Sequence, residues 1–118
     1  MAQMFPAPAV DAATIEALRN MLGAQGTNFI GRTVAKFITN TRANLASIED
    51  AIAASDYPTV RTIAHGLKSS SAYLGAKPLS GLCAALERAA LEGDARSCAV
   101  LTQQVYHEFS RAEIEFKV

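Results

Sequence analysis

The sequence predicts an all-α protein: an up-and-down antiparallel four-helix bundle with a short additional N-terminal helix capping one end. Three observations predict it. Apolar residues recur at three- and four-residue spacing along most of the chain. Alanine supplies much of a 50% hydrophobic content that includes only 7% aromatics and no Trp, a mixture suited to closely packed helices. Gly, Pro and Asp punctuate the chain at points that leave only short connections, which makes successive helices antiparallel neighbours.

The first helix runs from about Asp11, a good N-cap, to Gly23, with Ile15, Leu18 and Leu22 on one face. The second and longest begins near Thr27 and continues to about Ser55, carrying Phe29, Ile30, Val34, Phe37, Ile38, Leu45, Ile48 and Ile52 at helical spacing. Asp56 and Pro58 open a third, which Gly75 closes. Pro78 opens a fourth, bearing Leu79, Leu82, Cys83, Leu86 and Ala90 and stopping at Gly93. Asp94 caps a fifth, with Cys98, Leu101, Val105, Phe109, Ala112 and Phe116 inward.

A chain of 118 residues is one domain with a modest core, here residues 11–118, and is too short to hold a nucleotide-binding kinase module as well. Residues 1–10, broken by Pro6 and Pro8 and lacking basic residues, read as a flexible tail and not as a signal peptide. Eleven basic and eleven acidic residues leave no net charge, so neither nucleic acid nor an anionic membrane is an expected partner. No segment approaches the ~20 apolar residues of a membrane span. Cys83 and Cys98 lack metal-ligand spacing and read as reduced thiols, so the expected setting is the cytoplasm, with no metal site. A single bundle can bury its apolar stripes internally, which favours a monomer.

The chemistry is expected at His65. In the third helix Val60, Ile63, Leu67, Ser71 and Leu74 define the buried stripe. His65 lies two residues from both Ile63 and Leu67, which at about 100° per residue turns it roughly 200° away, outward with Arg61, Lys68, Ser69 and Ala72. Gly66, Ser69, Ser70 and Ser71 in mid-helix together cost on the order of 2 kcal/mol relative to alanine. Such local conflict is expected at functional sites, and short side chains clear space for another protein to approach the ring. The third and fourth helices turn near Ala76 and Lys77, so His65 faces the level of Glu87 and Arg88. A carboxylate there would take the Nδ1 proton and leave Nε2 free as nucleophile, although the same spacing fits an ordinary solvated glutamate. His107 is also outward, but with Tyr106, Glu108 and Arg111 nearby and no small-residue clearing it reads as solvated surface.

These residues carry a resemblance. Ala64-His65, Leu67-Lys68, Ser70, Gly75, Leu79, Cys83 and Leu86-Glu87 are similar to the signature of histidine-containing phosphotransfer (HPt) domains, roughly Ala-His-x-Leu-Lys-Gly-Ser-Ser followed by a helix-closing glycine, a Leu and a Cys, and a Leu-Glu pair. The likeness extends over the whole bundle. Two positions depart from it: the family usually has glycine where this chain has Ser69, and a larger residue where it has Gly66. The resemblance implies that His65 accepts a phosphoryl group from a receiver-domain aspartyl phosphate and passes it to another receiver. It implies receiver domains of response regulators and a hybrid sensor histidine kinase as partners, with Mg²⁺ and the aspartate supplied by the receiver and no cofactor held by this chain. Lys68, one turn along the same face, and Arg61, one turn back, would offset the phosphoryl charge. Receiver docking is expected around Arg61, Gly66, Ser69 and Ala72, with apolar contacts from Leu18, Met21 and Leu22 of the first helix. On this reading the chain is a phosphocarrier without catalytic activity of its own. Two alternatives share the same bundle: a docking module that blocks receivers or kinases without carrying phosphate, and a phosphoacceptor domain of chemotaxis type, phosphorylated directly by an ATP-binding domain.

Overall fold

The computed structural model describes residues 7–117, and the expectation of flexibility for residues 1–6 lies outside them. Five α-helices follow in order: α1 (Ala12–Leu22), α2 (Gly26–Ala53), α3 (Tyr57–Tyr73), α4 (Lys77–Leu91) and α5 (Ala95–Phe116), with a 3₁₀ turn at Gly23–Gln25 between the first two. Each of α2 to α5 packs on the next and α5 returns to α2, closing an up-and-down four-helix bundle. The α3–α4 contact is the most extensive.

The helix starts follow from local chemistry. The Asp94 carboxylate accepts from the backbone N–H of Ser97 at 3.1 Å and from its hydroxyl at 2.7 Å, and Asp56 treats Thr59 in the same way at 3.3 and 2.6 Å. Each thereby satisfies a donor that the first turn leaves without an intrahelical partner. The three turns inside the bundle share one closing geometry. At the end of α2 the N–H of Ser55 donates to the carbonyl of Ile52 and that of Asp56 to Ala51; Gly75 and Ala76 repeat this on Ala72 and Ser71, and Gly93 and Asp94 on Ala90 and Ala89. This is the paired 5→2 and 6→1 bonding of a Schellman motif, and it places Ser55, Gly75 and Gly93 at φ of 56, 79 and 67°.

The core runs along the bundle axis through Leu45, Ile48, Val60, Leu67, Leu79, Leu86 and Val105, with Ala51, Ala64, Ala89 and Ala90 letting the helices approach closely. Phe37 packs edge-on against Phe109 and Phe116, with ring centroids 6.4 and 6.0 Å away. Phe29, in the first turn of α2, departs from the expected inward face and is exposed.

α1 caps the end of the bundle that holds the α3–α4 turn. The Asp11 N–H donates to the Gly75 carbonyl at 2.8 Å, the Asp11 carboxylate pairs with Lys77 at 2.9 Å, and a Cβ on Gly75 would lie 2.9 Å from Thr14 Cβ. The segment before α1 corrects the expected flexible tail as far as residues 7–10 are concerned. Ala9 is buried, and the N–H groups of Ala9 and Val10 donate to the two oxygens of the Glu115 carboxylate at 2.8 and 2.9 Å, while Arg111 donates to the Ala7 carbonyl. A forked acceptor on α5 therefore pins this stretch across the bundle end.

Candidate functional site

α3 buries Val60, Ala64, Leu67, Ser71 and Leu74, and this stripe turns His65 outward with 62% of its side chain exposed. The packing of α3 on α4 brings Glu87 to the same level. His65 Nδ1 lies 2.8 Å from Glu87 Oε2, and Lys68 Nζ donates to Glu87 Oε1 at 2.8 Å. One carboxylate, itself 20% exposed, thus holds both residues that the sequence singles out on α3.

The electrostatics fix the roles. Lys68 first, and His65 second, hold the Glu87 carboxyl below its ordinary value of 4.5, so at neutral pH it is ionised. An ionised carboxylate only accepts, so Nδ1 donates in the His65–Glu87 bond, and in the neutral ring the lone pair is then on Nε2. Lys68, expected from the sequence to offset phosphoryl charge, is parked here on the same carboxylate that meets His65 Nδ1.

The surroundings are open. Pro58, Arg61, Thr62, His65 and Glu87 line a shallow groove, and a second one, shared with Arg61, Lys68 and Glu87, carries Arg88 and Glu92. On the other side of His65, Gly66 and Ser69 line a groove of about 510 Å³ between α2 and α3. Two of the three mid-helix serines bond their hydroxyls back to the helix: Ser69 Oγ to the His65 carbonyl at 3.4 Å and Ser70 Oγ to that of Gly66 at 3.0 Å. Ser80, which sequence reasoning missed, donates from α4 to the Lys68 carbonyl at 2.9 Å and ties the two helices together one turn from His65. Level-matching across the hairpin, which locates Glu87, does not find it, because Ser80 lies much nearer the turn than Lys68 does.

Of the remaining expected docking residues, Arg61, Gly66, Ser69 and Ala72 are exposed on α3, and Met21 and Leu22 are exposed on α1. Leu18 is corrected: only 9% exposed, it faces the core, because α1 turns its apolar stripe down onto the bundle end and has no other way to bury it. Burial pushes the Cys83 thiol up to about 12 and raises that of Cys98, which makes both poor nucleophiles. Among the described residues no helix is long and apolar enough to cross a membrane.

The site is thus an outward histidine with its Nδ1 on a carboxylate, carried by the second helix of a four-helix bundle. The Hpt domain family model matches residues 32–112, and the chain belongs to this family of histidine phosphotransfer domains of phosphorelays. Among solved structures it is similar to histidine-containing phosphotransfer protein B from Pseudomonas aeruginosa PAO1, at 28% identity and a TM-score of 0.85 over 95% of this chain and 94% of that one. A putative histidine-containing phosphotransfer protein from rice shares the fold, at 21% identity and a TM-score of 0.81 over 92% of this chain and 77% of that one. No curated protein matches the chain.

Proposed function

We propose that His65 is the phosphoacceptor, taking a phosphoryl group from the aspartyl phosphate of one receiver domain and giving it to another. The observation that carries this reading is the 2.8 Å Nδ1–Glu87 bond on an imidazole side chain that is mostly exposed. Nε2 attacks phosphorus, the P–N bond forms, the P–O bond to the aspartate breaks, and the aspartate leaves as a carboxylate. Because Nδ1 keeps its proton, the ring of the product is formally positive, and the Glu87 carboxylate lies against that charge. Lys68 swings from Glu87 to the phosphoryl oxygens, with Arg61 adding to the field. A neutral imidazole offers its Nε2 lone pair directly and needs no separate base for this attack. The receiver supplies the aspartate and Mg²⁺, and a hybrid sensor histidine kinase supplies the phosphoryl group upstream. The chain acts as a cytoplasmic monomeric carrier and not as a catalyst.

The test mixes a radiolabelled, phosphorylated receiver with wild-type protein and with His65→Gln. Acid-labile, base-stable label on the wild type alone is the expected result. Binding of receivers without transfer from any of a broad panel would replace the carrier with a docking module.

A further inference from the structure

Three glycines that interrupt helices or turns here have different reasons to be glycine. Gly75 sits at φ 79° with Thr14 2.9 Å from where its Cβ would be, and a Cβ on Gly26 would lie 2.7 Å from the Arg19 carbonyl oxygen. Both are required by the fold. Gly66 is not: it has ordinary helical dihedrals in the middle of α3, and a Cβ built on it meets nothing within 4 Å. Glycine at an exposed interior helix position lowers stability by about 1 kcal/mol relative to alanine. Gly31 and Gly81 share those open surroundings, but of the three Gly66 alone adjoins His65.

Its position singles it out. Gly66 adjoins His65 and lines the groove between α2 and α3 with Phe37, Thr41, Ser69 and Tyr73. Thr41, in that same lining, is 1% exposed and its Oγ1 has no hydrogen-bond partner among the described residues, which leaves a buried polar atom on the groove wall unanswered by the chain itself. His65 directly precedes Gly66 on the exposed side of α3, so a protein that brings an aspartyl phosphate to Nε2 comes close over Gly66 as well.

We infer that Gly66 is a specificity-determining notch. The docking receiver seats part of its own surface against the bare backbone at Gly66, and the size of residue 66 sets which receivers bring their aspartate within reach of His65. This rests on the phosphotransfer reading and adds the residue that selects the partner. Gly66 acts on approach and not on the imidazole, so a side chain there obstructs a protein donor and spares a small one.

The test compares wild type, Gly66→Ala, Gly66→Gln and, as a helix control away from His65, Gly81→Gln. Each is scored for transfer from a panel of phosphorylated receivers, for direct labelling of His65 by phosphoramidate, and for Tm. All three variants gain helix propensity, so Tm rises by about 4 °C in each and misfolding does not confuse the result. Gly66→Gln is expected to lose at least about tenfold in kcat/KM for transfer from the best receivers, through KM, with phosphoramidate labelling unchanged. Gly66→Ala should lose less, and Gly81→Gln nothing. Wild-type transfer rates for Gly66→Gln with every receiver would overturn the inference, as would a parallel loss of phosphoramidate labelling. If the wild type itself takes label from phosphoramidate but from no receiver, the phosphotransfer reading falls, and this inference with it.

Discussion

The chain has two histidines, both on outward helix faces, and their surroundings could hardly differ more. His65 on α3 is clasped through Nδ1 by Glu87 from the neighbouring helix, has Lys68 on the same carboxylate, and is flanked by Gly66 and Ser69. His107 on α5 is exposed, makes no side-chain hydrogen bond or ion pair among the described residues, and has Gln103, Gln104 and Arg111 as its neighbours a turn away. The carboxylate next to it in sequence, Glu108, is buried and taken up by both of its oxygens on Arg111 at 2.8 and 2.9 Å. Exposure alone leaves an imidazole free to take either tautomer and to turn in solvent. A fixed acceptor on one nitrogen is what aims the lone pair of the other.

The sharpest way to break this contrast is to exchange the two rings for glutamine. His65→Gln should remove phosphotransfer to below detection, and His107→Gln should leave it at the wild-type rate in the same labelling assay. The clasp comes next. Glu87→Ala is expected to slow transfer by about 10- to 100-fold, and Lys68→Ala by a similar factor, because each removes a group that orients the ring or offsets developing charge. Glu87→Gln separates the two roles: if it retains most of the rate the hydrogen bond dominates, and if it matches Glu87→Ala the charge does. Single-turnover kinetics with one phosphorylated receiver reads all three.

Acid provides a gentler perturbation. Glu87, Asp11, Asp94 and Glu113 all have carboxyls held below their ordinary values, Glu87 and Asp11 chiefly by a lysine, Asp94 chiefly by the Ser97 hydroxyl and Glu113 chiefly by Lys117. A carboxyl whose pKa is lower when folded stabilises the fold above its unfolded value and loses that contribution as the pH falls through the folded one. The denaturation midpoint should therefore hold level from neutral pH down to about 4.5 and decline below it. Glu87→Gln should flatten part of that decline, whereas His107→Gln should not touch it. Smallest of all is a change at the far turn. Ser55 occupies the left-handed position that glycine fills in the other two bundle turns, so Ser55→Gly should raise Tm by about 2–4 °C and leave transfer unchanged.

The bundle was legible because each helix announces itself twice, by an apolar stripe and by its ends: Asp56 and Asp94 cap, Pro58 and Pro78 sit in first turns, Gly75 and Gly93 close. The His65–Glu87 pair was legible for a related reason. A hairpin with a short turn has a fixed register, so counting outward from Ala76 finds the opposite residue. What stayed hidden depends on contacts that no local pattern encodes. Ala7 to Val10 look like a loose lead-in until Glu115, more than a hundred residues on, presents its two oxygens. Leu18 sits on the same stripe as the exposed Leu22, and which of them is covered depends on how α1 crosses the bundle end. That Lys68 shares Glu87 with His65 follows from side-chain reach and not from spacing. The empty space beside Gly66 is invisible in a sequence, where one glycine looks like another.

The strap at Ala9 and Val10 also says something about the chain as a closed loop. The last turn of α5 and the lead-in to α1 meet through the Glu115 carboxylate, so the two ends of the described chain lie side by side at the bundle end nearest the α3–α4 turn. A linker joining these two segments would have only a short distance to span. The protein is therefore a natural subject for circular permutation, with new ends opened at the exposed Ser55 or Gly93 turn and the His65 face left intact.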